Sequence, residues 1–131
     1  MSENKHNKPR VFIADDDMMI RSLLRLILRE DGYNVVGEAA TGEGIVDDCK
    51  HAHPEVLLLD INMPCTDGLQ VLEKIRVAQP EVKVIMISAD ATLERVTEAL
   101  QKGASGFIVK PFNAAKVLDD ISNALRKSGN K

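Results

Sequence analysis

Residues 57–64 read LLLDINMP. Three consecutive leucines fit a strand covered on both faces, yet the run ends on Asp60, a side chain that is costly to bury unless something pairs with it. Residues 11–17, VFIADDD, repeat the arrangement with three carboxylates. An apolar strand that carries acid to its tip needs a reason, and the segments on either side supply one.

Working outward, apolar runs and amphipathic segments alternate. RVFIA (10–14) predicts a strand. After it Ile20, Leu23, Leu24, Ile27 and Leu28 recur at helical spacing, with Arg21, Ser22, Arg25 and Arg29 opposite. Gly32 stops that helix. The pattern repeats as NVVGE (34–38) with a helix over 42–51, EVLLLD (55–60) with a helix over 67–78, VKVIMIS (82–88) with a helix over 92–102, and GFIVK (106–110) with a helix over 113–127. Five strand-helix units on short turns predict an α/β fold, a doubly wound five-stranded parallel sheet. Parallel strands need crossovers, and those crossovers are right-handed. The domain is expected over 9–127, after a disordered polar arm over 1–8 and before a short tail over 128–131.

The chain's 131 residues suit one domain with a full core. A net charge of −3 and a pI near 5.6 argue against general affinity for nucleic-acid backbones or anionic membranes. No apolar stretch approaches the ~20 residues that span a bilayer. The first ten residues, MSENKHNKPR, are polar rather than signal-like, so a cytoplasmic location is expected. Cys49 and Cys65 have neither metal-ligand spacing nor the density of a disulfide scaffold, and read as reduced structural thiols. His51 and His53, with no acid or cysteine set at ligand spacing, read as surface residues rather than zinc ligands.

In a parallel sheet of this kind the carboxyl ends of the strands share one edge, where ligands bind. Strand one ends in Asp15 and Asp16, strand three in Asp60, strand four in Ser88 and strand five in Lys110. Each has a bland explanation alone: Asp16 or Asp17 as a helix cap, Ser88 as an ordinary strand-end hydroxyl, Lys110-Pro111 as a turn. Their convergence from four segments points to a site. Two like charges ~4 Å apart repel by about 4 kcal/mol at an effective dielectric near 20, so Asp15, Asp16 and Asp60 require compensation. Lys110 offers one positive charge, and the remaining excess suits a hard divalent cation, Mg2+ rather than a metal favouring nitrogen or sulfur. A carboxylate beside Mg2+, with an amine and a hydroxyl in reach, suits phosphoryl transfer with Asp60 as the attacking group.

The set IADDD (13–17), LLLDINMPCTDG (57–68), MISAD (86–90) and FIVKPF (107–112), in this order, resembles the receiver (CheY-like) domain of two-component response regulators over about 9–127. The resemblance implies a flavodoxin-like sheet of order 2-1-3-4-5. It implies that Asp60 is the phosphoacceptor, that Asp16 and Asp60 bind Mg2+ directly, Asp15 partly through water, and that the backbone carbonyl of Asn62 completes the set. Lys110 is then the partner of Asp60 and later of the phosphoryl group, with a cis bond to Pro111. Ser88 is the hydroxyl that swings toward the phosphoryl oxygen and Phe107 the aromatic switch. The face of helix four, strand five and helix five becomes the readout.

The implied partners are a histidine kinase or histidine phosphotransfer protein upstream, and an effector protein or output domain downstream. A phosphorylation-dependent dimer stays open. Such a domain catalyses its own phosphorylation and slow dephosphorylation and turns over no other substrate. No DNA-binding or second catalytic segment is recognised after helix five, so a stand-alone receiver and a piece of a longer regulator both remain open.

Two rivals fit less well. A phosphatase of the haloacid-dehalogenase type also uses an aspartyl nucleophile, but its acid pair comes last in the chain, and Asn62 cannot serve as its acid and base. In a flavodoxin-like cofactor module the acidic first loop would repel a flavin phosphate, and no Trp and one Tyr are available for stacking. A pure interaction module that has lost phosphorylation is disfavoured because every required residue is present. Among the remaining residues, Asp17 is expected at the helix start. Met18, Met19 and Leu26 lie off the apolar stripe, and Met19 with Leu26 is expected to form an exposed patch for a histidine-containing partner.

Overall fold

The computed structural model describes residues 8–129, the side chains of 127–129 excepted; of the arm expected over 1–8 only residue 8 is described, and positions 128 and 129 of the expected tail instead continue the last helix. Each apolar run becomes a strand and each amphipathic run a helix: β1 (Arg10–Ala14), α1 (Met18–Glu30), β2 (Asn34–Ala39), α2 (Ile45–Ala52), β3 (Val56–Asp60), α3 (Gly68–Ala78), β4 (Lys83–Ser88), α4 (Leu93–Gln101), β5 (Gly106–Val109) and α5 (Ala114–Gly129). Between β3 and α3 a small hairpin pairs Asn62–Met63 with Thr66–Asp67. The five main strands are all parallel, in the order β2-β1-β3-β4-β5. This is the doubly wound, flavodoxin-like order expected.

The leucine run shows why the sheet needs cover on both sides. Successive side chains of a strand point to opposite faces. Leu58, with Val11, Ile13, Ile85 and Ile87, packs against Leu24 and Leu28 of α1 and Val117 and Ile121 of α5. Leu57 and Leu59, with Phe12, Val84 and Met86, pack against Ile45 of α2, Leu72 and Ile75 of α3, and Ala99 of α4. Burying each such side chain stabilises the fold by about 1.5–3 kcal/mol, and β3 is buried at every position.

Helix ends follow the sequence with some corrections. Asp17 caps α1, its Oδ1 accepting from the N–H of Met19 at 2.9 Å and of Ile20 at 3.4 Å. Gly32 follows the helix in the left-handed conformation at φ +89°. α2 begins at Ile45 instead of residue 42, because Gly44 takes φ +81°, a left-handed conformation that a right-handed helix cannot include. Leu23, assigned to the buried stripe, instead lies 42% exposed beside the outward-facing Met19 and Leu26. Met18 is exposed as well.

Cys49 is buried, and its thiol is pushed up to about 12 by burial and then by Asp48. Cys65 departs from the structural-thiol expectation: it is exposed at φ +58° in the hairpin turn. His51 and His53 are exposed as expected. Among the described residues no helix is long and apolar enough to cross a membrane.

Candidate functional site

β1 has β2 on one side and β3 on the other, so the strand order reverses there and leaves a crevice beyond the carboxyl ends. Register brings the polar residues into it. Ala14 pairs with Leu59, which sets Asp15 beside Asp60; Ser88 pairs with Val109, which sets Lys110 next to Ser88. Backbone bonds continue past the strands, from Asp15 N–H to Ala39 O at 3.0 Å and from Lys110 N–H to Ser88 O at 2.9 Å. The Lys110-Pro111 bond is cis, as the resemblance implied.

Carboxylate oxygens of Asp15, Asp16 and Asp60 lie within 4.8 Å of one another. Asp15 and Asp60 are buried and Asp16 is exposed. Lys110 Nζ sits 3.0 Å from Asp15 Oδ2 and 3.6 Å from Asp60 Oδ2, so the amine bridges both acids and lies nearer to Asp15. Asp60 Oδ1 accepts from Asn62 N–H at 3.2 Å, and Asp15 Oδ1 from Asp17 N–H at 2.9 Å. Asp15 Oδ2 accepts no aligned hydrogen bond, leaving only its ion pair with Lys110.

The electrostatics follow from this crowding. Burial and then the Asp15 charge push Asp60 up to about 6, against the opposing pull of Lys110 and the Asn62 N–H; Asp16 adds to the rise. Burial works against the charge of Lys110, yet the adjoining Asp15 and Asp60 carboxylates outweigh it and hold the amine above its ordinary value. One ammonium facing three acids leaves an excess of negative charge. The donors are all oxygen, one buried oxygen lacks an aligned partner, and a hard divalent cation such as Mg2+ fits that set.

Ser88 is buried, and its Oγ accepts from Asp90 N–H at 3.0 Å. Phe107 on β5 is half-buried against the α2–α3–α4 core and lines a groove of about 410 Å³ with Leu100 of α4 and Asp120 of α5.

Two residues escaped the sequence argument. Gly68 opens α3, where a Cβ would lie 2.6 Å from both Asp60 O and Ile61 Cα, so only glycine lets the helix start against the backbone of Asp60. Its one sequence signal is a glycine placed directly after the Asp67 cap. Arg21 donates Nη1 to the carbonyl of Asp15 at 2.7 Å. Only its position on the polar side of α1 hinted at a task.

The family model for the response regulator receiver domain matches residues 11–122. Protein CcdB of Bacillus subtilis is 41% identical over 116 residues, covering 88% of this chain and 97% of that protein. Chemotaxis protein CheY of Listeria monocytogenes is 38% identical over 117 residues, covering 89% and 98%. In structure, the chain is similar to one in the CheX-CheY-BeF3-Mg+2 complex from Borrelia burgdorferi, with TM-score 0.85, 36% identity and 88% of each chain covered. It is also similar to a CheY-like receiver domain protein from Methanospirillum hungatei, with TM-score 0.85, 31% identity, and 92% and 96% covered. Sheet order, strand-end acids and these likenesses agree, and the chain belongs to the response regulator receiver domain family.

Proposed function

We propose that the site receives a phosphoryl group on Asp60 and that the charge placed there switches a protein-binding face. The observation that carries this is the close set of Asp15, Asp16 and Asp60 with Lys110 across it. Burial makes the Asp60 carboxylate more basic than a surface one, and so a stronger nucleophile once ionised at neutral pH. An oxygen of Asp60 forms a bond to phosphorus as the phosphorus–nitrogen bond of a phosphohistidine donor breaks. The imidazole leaves with the electron pair. Lys110 and Ser88 meet the oxygens of the arriving group.

Asp15, Asp16, Asp60 and the backbone carbonyl of Asn62 would hold Mg2+, which supplies charge neutralisation for the phosphoryl oxygens when bound. The likeness to a chain of a CheX-CheY-BeF3-Mg+2 complex supports a Mg2+ site in this chain.

Phosphorylation adds about −1.5 to −2 charge units. The Ser88 hydroxyl, held by Asp90 N–H beforehand, turns toward that charge, and Phe107 turns inward with it. The α4–β5–α5 face is then the readout for an effector protein or output domain, with a histidine kinase or histidine phosphotransfer protein upstream, in the cytoplasm. Nucleic acid and membrane are not direct partners in this scheme. The domain promotes its own phosphorylation and slow dephosphorylation, with no other substrate turned over.

The test is mass spectrometry after exposure to a small acyl phosphate with Mg2+. One phosphoryl group is expected on the native chain, and none on the Asp60→Asn variant or in excess chelator. Undiminished labelling of the variant refutes the acceptor, and full labelling in chelator refutes the metal.

A further inference from the structure

Every polar atom of the Asp15 main chain is held. Its N–H donates to Ala39 O at 3.0 Å, and its carbonyl accepts from Arg21 Nη1 at 2.7 Å. Arg21 lies on the first turns of α1, its own N–H donating to Asp17 O at 3.0 Å. The guanidinium is itself gripped: Nε lies 3.4 Å from Glu38 Oε1, while Arg25 pairs with the other Glu38 oxygen. Arg21 and Glu38 side chains are only 17% and 25% exposed, so the pair is partly shielded from solvent screening. Glu38 precedes Ala39 on the edge strand β2, which therefore fixes Asp15 twice, through the Ala39 carbonyl and through the relay of Glu38 and Arg21.

The carbonyl that Arg21 holds belongs to the peptide joining Asp15 to Asp16. The same peptide leads into Asp16, whose exposed carboxylate has an oxygen within 4.8 Å of oxygens of the buried pair. No other side-chain bond to this carbonyl occurs among the described residues. A planar fork suits the task, since one nitrogen grips the carbonyl and another the Glu38 carboxylate in fixed relation. Glu38 also offsets a positive charge that would otherwise repel a cation nearby.

We propose that Arg21, braced by Glu38, is a positioning residue that fixes the Asp15–Asp16 peptide and thereby sets the affinity of the acid pair for a divalent cation. The inference rests on the metal assignment above. It makes a prediction opposite in sign to plain electrostatics. If Arg21 were merely a nearby positive charge, its removal would tighten Mg2+ binding. As a clamp, its removal loosens it.

The experiment is calorimetric titration of the unphosphorylated protein with Mg2+, with the fold of each variant checked by its melting curve. Arg21→Ala is expected to weaken Mg2+ binding by about tenfold, in the range found for groups that orient metal ligands. Arg21→Lys, which keeps the charge and loses the fork, is expected to weaken it by several-fold, and Glu38→Gln likewise. In labelling with a small acyl phosphate, the Mg2+ concentration for half-maximal rate should rise while the rate at saturating Mg2+ is kept. Unchanged or tighter Mg2+ binding by Arg21→Ala overturns the clamp and leaves the metal assignment standing. A native chain that binds no Mg2+ overturns the metal assignment itself.

Discussion

Asp60 is stable as a charge only at a cost, and the sign of that cost can be worked out. Its ordinary value is 3.8 and burial, with Asp15, lifts it to about 6 in the folded chain. The folded state therefore holds the proton more tightly than the unfolded one. The stability this gives is fully present below the unfolded value and is lost as pH rises through about 6. A shift of two units corresponds to about 3 kcal/mol. Asp60→Asn keeps the shape without the charge, so without divalent ions it is expected to be about 1–3 kcal/mol more stable than the native chain at pH 7.5. The gain should fade toward pH 4, as urea melts at the two pH values would show. An equal gain at both would rule out the buried charge as its cause. Asp15, Asp60, Ser88 and Lys110 were legible because each ends a strand and strand ends converge. Gly68 and Arg21 were not, because each acts on a backbone atom distant in sequence, and no period in the chain records such a contact.

At the level of elements, α1 is the most informative. Its limits were readable, since Asp17 and Gly32 act locally through a side-chain cap and a left-handed turn. Its buried stripe proved narrower than the spacing of apolar residues suggested, with Leu24, Ile27 and Leu28 inside and Leu23 out. Leu23 thereby joins Met19 and Leu26, which are 78% and 56% exposed, on a helix that starts right after the acid pair. Such a patch fits a partner that must reach Asp60. Leu26→Asp is expected to slow phosphoryl transfer from a histidine-containing protein about tenfold or more, as loss of a central apolar contact does, and to spare labelling by a small acyl phosphate. Rates reduced alike in both assays would dismiss the patch as a docking face. The hairpin before α3 went unread because two-residue strands are too short to show any periodicity.

Across the whole molecule, β3 belongs to both cores at once, Leu57 and Leu59 to one and Leu58 to the other. Alternation of strands and helices was enough to give the parallel sheet with two covered faces. The order of the strands came only from the likeness to a family, because spacing along a chain does not say which strands become neighbours. Sharing of β3 couples the two halves. Leu58→Ala should cost about 2–5 kcal/mol and leave one cooperative urea transition of unchanged slope. Two separated transitions would show that the cores melt independently. The spread of the acids and their counter-ion along the chain also matters during synthesis. Asp15 and Asp60 leave the ribosome long before Lys110 does, so a nascent or truncated polypeptide would have to seat two repelling carboxylates with no ammonium between them. Closure of the crevice therefore waits on the last strand of the sheet, which carries the ammonium in.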